Sequence, residues 1–108
     1  MVTSGDALGI VEVEGMTAAL AVADAMVKAA PVTLSGPASI GDGLVDWFVH
    51  GSIAAVEEAV AVADRVFAGS LRSVAVIGRP DLMVVEIFVA AADRSGGAAT
   101  REEGWLLR

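Results

Sequence analysis

The chain has 108 residues, no cysteine and a formal net charge of −7. At this length one domain is expected, disulfides and thiolate metal sites are excluded, and the acidic balance argues against a nucleic-acid partner, which needs clustered Lys and Arg. Hydrophobic residues make up 56% but aromatics only 5%, so the apolar content is mostly Ala and Val, more than so small a chain can bury, which points to a subunit interface.

Residues 7–14 alternate. Val11 and Val13 face one way and Glu12 and Glu14 the other, the pattern of a half-buried strand. Gly15 turns the chain, and Thr17 is the expected N-cap of a helix running to about Ala30. Asp24 and Lys28 sit four apart on it, acid first. Pro31 ends that helix. Residues 32–40 read as a second strand, bent or at an edge because of Gly36-Pro37. Gly41-Asp42-Gly43 is a turn, and residues 44–50 form a third strand with Val45, Trp47 and Val49 on one face. Ser52 caps a second helix from Ile53 to about Ala68. Ile53, Val56, Val60, Ala63 and Phe67 form its buried stripe, Glu57 and Glu58 favour its positive end, and Gly69 supplies its stop. Residues 72–78 are a fourth strand, and Pro80-Asp81 opens a short helix, roughly Leu82 to Phe88.

The order β-α-β-β-α-β with a short C-terminal helix predicts an α+β, ferredoxin-like sandwich. Residues 7–88 are the expected domain. Residues 89–108 are linker-like in composition and end in a charged stretch with an apolar tip, and they read as a flexible tail. No window of about 18 residues lacks a charge, as a spanning helix requires, and the first residues do not resemble a secretory signal. A cytoplasmic protein with no membrane partner is expected.

Catalytic equipment is scarce. His50 is the single histidine and lies at a strand end with no nucleophile pattern around it, which favours a partly solvated structural histidine over a base. Glu12 and Glu14 share a strand face and read as a solvated face or a subunit contact. Glu57 and Glu58 diverge on their helix, and Glu102 and Glu103 lie in the tail, so no metal site is expected. Gly41-Asp42-Gly43 lacks the lysine of a phosphate loop and puts a carboxylate where phosphate would sit. Trp47 on an alternating strand reads as core or interface. Trp105, in Trp-Leu-Leu, reads either as a docking peptide or as a loosely packed terminus.

The run from Ala7 to Ala30, containing Glu12-Val13-Glu14-Gly15 and Asp24-Ala-Met-Val-Lys28, is followed by Ile40-Gly-Asp-Gly-Leu-Val45 and Ile77-Gly-Arg-Pro80. In combination these resemble the bacterial microcompartment shell protein of the single-domain, hexamer-forming type, which is built on the BMC domain. The resemblance covers residues 7–80 almost continuously. It implies a flat cyclic hexamer that meets other hexamers edge to edge in the facets of a polyhedral shell. It also implies partners: identical copies in the ring, other shell proteins of the same compartment, encapsulated enzymes, and small metabolites crossing a central pore. No catalytic residue and no cofactor is implied.

On this resemblance Ser39, Ile40, Gly41, Asp42 and Gly43 match the pore loop. Ser39 stands where many relatives have lysine, and Asp42 where a small polar residue is common. Lys28 and Arg79 match the contacts between hexamers. Pro31 and Gly78-Arg-Pro-Asp81 depart from the family's usual edge sequences. Sixfold symmetry would set carboxylates of Asp42 around one opening. At roughly 8 Å and an effective dielectric of about 20–80, each neighbouring pair repels by about 0.5–2 kcal/mol, so a pore that attracts cations and disfavours anions is expected. The alternatives are a ferredoxin-like regulatory module that binds a ligand between subunits, and a small enzyme with its site between subunits.

Overall fold

The valine–glutamate alternation forms β1 (Ala7–Glu14), with Val11 and Val13 fully buried and Glu14 exposed, in a computed structural model that describes residues 6–92. There follow α1 (Met16–Ala29), β2 (Thr33–Gly41), β3 (Leu44–Gly51), α2 (Ile53–Val66), β4 (Leu71–Gly78) and α3 (Leu82–Ala92). The strands form one antiparallel sheet in the order β2-β3-β1-β4. This is the expected ferredoxin-like sandwich, with β2 and β4 as its edges. Gly36-Pro37, joined by a cis bond, sits in edge strand β2, where pairing with β3 shifts register between Ser35 and Ala38.

Both helices α1 and α2 lie on one face of the sheet. α1 covers β1, β2 and β3, and α2 covers β1, β3 and β4. Val11, Val13, Val22, Met26, Val49 and Val56 are fully buried between the layers, each contributing about 1.5–3 kcal/mol. Trp47 belongs to this core, and its indole N–H donates to the Ala19 carbonyl at 2.9 Å, tying β3 to α1. Gly9 lets α2 approach β1 closely. A Cβ there would stand 2.8 Å from Val56 Cγ1 and 3.3 Å from Val60 Cγ2. Val56 is fully buried and β-branched, so it has no rotamer to retreat to. Gly9→Ala is expected to destabilise the chain by about 1–3 kcal/mol, read as a lower urea midpoint with an unchanged slope.

Five local expectations are corrected. α1 begins at Met16 with Gly15 as N-cap, because the Gly15 carbonyl accepts the Ala19 N–H at 2.9 Å; Thr17 is already inside the first turn. α2 starts on Ser52 as expected, with its hydroxyl accepting the Ala55 N–H at 3.1 Å. It ends at Phe67 and not at Gly69, because the Phe67 carbonyl takes the N–H groups of both Ser70 and Leu71. Ile53 is exposed, at the first position of α2 directly after the end of β3 and beside Gly78 at the end of edge strand β4, and Glu57 and Glu58 lie beyond the first turn. α3 continues four residues past the expected Phe88. It packs on the other face of the sheet, where Val85 meets Leu8, Ala38 and Phe48.

Candidate functional site

β2 and β3 are joined by Asp42 and Gly43 alone, with Gly41 paired to Leu44. Asp42 has φ 55° and Gly43 φ 76°. Positive φ at both central residues is the signature of a type I′ hairpin, for which Asp-Gly is a preferred sequence. The turn is therefore tight, and Ser39, Ile40, Gly41, Asp42 and Gly43 are all exposed around it. Its base is anchored, because the Gly43 carbonyl accepts the Gly15 N–H at 2.8 Å and so fastens the hairpin to the β1–α1 corner.

Strand register fixes where the other two expected residues lie. Glu14 on β1 faces Leu44 at the hairpin end of the sheet, while Ala7 faces both Gly51 and Gly78 at the far end. Arg79 follows Gly78 directly and so lies at the far end. α1 starts beside the hairpin and delivers Lys28, in its last turn, toward the start of β2, whose Thr33 faces His50 at the same far end. The subunit thus carries the acidic hairpin at one end and both expected cations at the other, roughly 24 Å of strand apart. Lys28 holds Asp24 at 2.8 Å with both side chains exposed, a pair worth little in water and easily exchanged for another partner. Arg79 is exposed, with a backbone φ of 50° that non-glycine residues seldom adopt.

Polar groups on the open face of the sheet were only partly anticipated. His50 is 4% exposed, so it is buried and not partly solvated. One ring nitrogen, Nε2, lies 2.9 Å from the Ser35 hydroxyl and the other, Nδ1, is buried without a partner. Burial pushes its pKa down, only partly opposed by Asp6, which favours the neutral ring. Glu14 pairs with Arg72 across the β1–β4 junction. Sequence reasoning missed the juxtaposition of Glu12 and Asp46, which are cross-strand partners on the two inner strands. Asp46 is half-buried, and burial first, then the Glu12 charge and hydrogen bond, raise its pKa to about 6. The signal was present: Glu12 lies two residues before Glu14, and Asp46 two residues after Leu44, once the corner and the hairpin are aligned.

Exposed apolar side chains fall into separate groups. Met16 and Leu20 stand on α1, Val74 and Ile77 on edge strand β4, and Leu82, Met83 and Ile87 on α3. Among the described residues no group of three or more His, Cys, Asp or Glu could hold a metal, and no helix is long and apolar enough to cross a membrane. Glu102, Glu103 and Trp105 lie outside the described residues.

Comparison with known proteins gives the family. A model of the BMC domain matches residues 7–80. The chain is 46% identical over 86 residues to the bacterial microcompartment shell protein PduA of Citrobacter freundii, covering 76% of this chain and 90% of that one. It is 44% identical over 87 residues to the bacterial microcompartment shell protein EutM of Salmonella typhimurium, covering 77% and 88%. A carboxysome shell protein of Thermosynechococcus vestitus is 44% identical over 78 residues, covering 68% and 76%. Among solved structures, a microcompartment protein from Desulfitobacterium hafniense superposes with a TM-score of 0.72 at 28% identity; the match covers 80% of this chain and 48% of that longer one. The chain belongs to the BMC domain family, and is on that ground a bacterial microcompartment shell protein and not an enzyme.

Proposed function

We propose that the chain closes into a cyclic hexamer with the Asp42 hairpin at its centre and Lys28 and Arg79 at its rim, and that such hexamers tile into a shell facet. The observation that carries this reading is the opposed placement of the hairpin and the two cations along the sheet. A ring needs one end of each subunit at the axis and the other outward. It also needs a head-to-tail interface made of two different patches. Met16 and Leu20 on α1, which leans toward the β2 side, supply one such patch, and the opposite edge strand β4, with Val74 exposed on its helix side and Ile77 on its other side, supplies the second. Burying them in the ring would also house the apolar excess of the composition.

Asp42 then lines the opening. Its carboxylate is exposed on a turn whose geometry already tolerates it, so ring formation alone would bring like charges together. Small cationic or neutral metabolites pass more readily than anions through such a constriction. Asp42→Asn retains a residue suited to positive φ and removes the charge. It is expected to raise anion passage through the assembled ring severalfold, as measured by conductance of hexamers in a planar bilayer or by anion uptake into assembled shells. Unchanged charge selectivity would assign Asp42 to turn geometry alone.

The assembly itself is tested by light scattering together with electron microscopy at high protein concentration. A ring of the mass of six chains that forms ordered sheets or tubes supports the reading. A chain that stays monomeric when concentrated defeats it. A dimer or trimer that changes size with a small ligand would instead favour a regulatory module.

A further inference from the structure

Arg72 sits where edge strand β4 departs from regular pairing. Val13 faces Leu71 and Glu12 faces Ser73, so Arg72 is the extra residue of a bulge and has no register partner on β1. A bulge re-aims the side chain it carries. Arg72 is exposed, and its ion pair with Glu14 is about half-exposed on both sides. Such a pair exchanges readily for another carboxylate.

Strand register puts the bulge at the hairpin end of the sheet, where Val13 faces both Val45 and Leu71. Within one chain β1 separates β3 and its hairpin from β4, two strand spacings or about 10 Å. A neighbouring copy in the ring proposed above closes that gap. Gly15 fastens the hairpin through its N–H to the Gly43 carbonyl, and α1 starts at the next residue. The Met16 and Leu20 patch and the Asp42 turn are therefore one body. When that patch packs on β4 of the next subunit, the hairpin comes to the inner end of the same strand, where Arg72 is exposed. We infer that Arg72 pairs with Asp42 of the next subunit, so that the pore lining is completed from two chains. The inference rests on the ring. Each Asp42 then meets a cation from its neighbour, which offsets the repulsion among carboxylates around the opening. The charge of the constriction is set by Arg72 as well as by Asp42. Arg65, in the last turn of α2, also lies at the hairpin end but belongs to the helix layer, and it serves as a control.

The test is a double-mutant cycle on the full-length protein. It is read as the rate at which isotope-labelled and unlabelled rings exchange subunits, followed by native mass spectrometry. A departing subunit breaks two such pairs. Arg72→Gln is expected to speed exchange about fivefold or more with Asp42 in place, and to change it by less than about twofold in the Asp42→Asn background. Arg65→Gln removes the same charge from α2 and is expected to leave exchange unchanged. Arg72→Gln is also expected to lower anion passage relative to cation passage by about twofold or more, because Asp42 is then uncompensated. Equal acceleration in both backgrounds would assign Arg72 to Glu14 and its own chain, and no acceleration would leave it facing solvent. Either result overturns the inference, as does an unchanged permeability ratio or an Arg65→Gln effect as large as that of Arg72→Gln. A protein that forms no ring overturns the reading of function and the pair with it, whereas a ring in which the two residues are uncoupled overturns the pair alone.

Discussion

Leu20→Glu is expected to leave the subunit folded and to abolish the proposed ring. Leu20 is 67% exposed on α1, next to the fully buried Ala19. In the free chain its side chain already faces water, and glutamate is a strong helix former, so the substitution costs the subunit little. In the ring the same position would be buried. The change then forfeits up to about 2 kcal/mol of apolar burial and adds the several kcal/mol needed to bury an unpaired carboxylate. A cyclic assembly repeats its interface at every subunit, so that penalty recurs around the ring. Sedimentation velocity should show a single-chain mass at micromolar concentration, with the far-ultraviolet circular dichroism unchanged. Ala61→Glu, at an exposed position of α2, is the control and should retain the ring. A hexamer that survives Leu20→Glu would move the interface away from α1.

How much of this was legible in the sequence varies with the range of the interaction. Period-two alternation in β1 and β3 and the Val56, Val60 and Ala63 part of the α2 stripe depend on neighbours along the chain, and they read correctly. The Asp-Gly hairpin did too, because positive φ restricts which residues tolerate it. Helix ends read less well. Thr17 and Gly69 have the right chemistry for caps, but the chain closes its first turn on Gly15 and its last on Phe67 through backbone groups alone. Ile53 kept the helical spacing of the core yet lies exposed at the end of the sheet, and spacing carries no information about where the sheet stops. The residues matched to the pore and the edges owed their assignment to the family resemblance. What the fold added is their placement at opposite ends of the sheet, which follows from strand register. The burial of His50 required knowing which elements pack around it, and the meeting of Glu12 with Asp46 could be read only once β1 and β3 are paired with Glu14 opposite Leu44.

Asp46→Asn is expected to stabilise the chain at neutral and alkaline pH and to do little below about pH 4. Asp46 faces Glu12 across the two central strands, and one of its oxygens, Oδ1, is buried without a partner. Its flanking cross-strand neighbours are Ala38 on β2 and, beyond Glu12, Ser73 on β4, so neither side supplies a positive charge. Arg72, at the β1–β4 junction, is engaged by Glu14. Burial and the Glu12 carboxylate therefore hold the Asp46 pKa near 6 against 3.8 for a free aspartate. The folded state binds the proton more tightly than the unfolded state. This group consequently adds no penalty below about pH 4, and stability falls as pH rises from there through about 6. Above that window Asp46 carries its charge beside Glu12 and the full cost is felt. The undiscounted linkage is about 3 kcal/mol, and because the pair is only half-buried, solvent screening reduces it to about 1–2 kcal/mol. Asparagine abolishes the like-charge contact, and its amide N–H can donate to Glu12. The two proteins should melt together at pH 4, while at pH 8 the variant should melt several degrees higher. Melting curves measured across pH 4–8 decide it: a gap that is constant with pH would show that the pair is solvated and that Asp46 titrates as an ordinary surface acid.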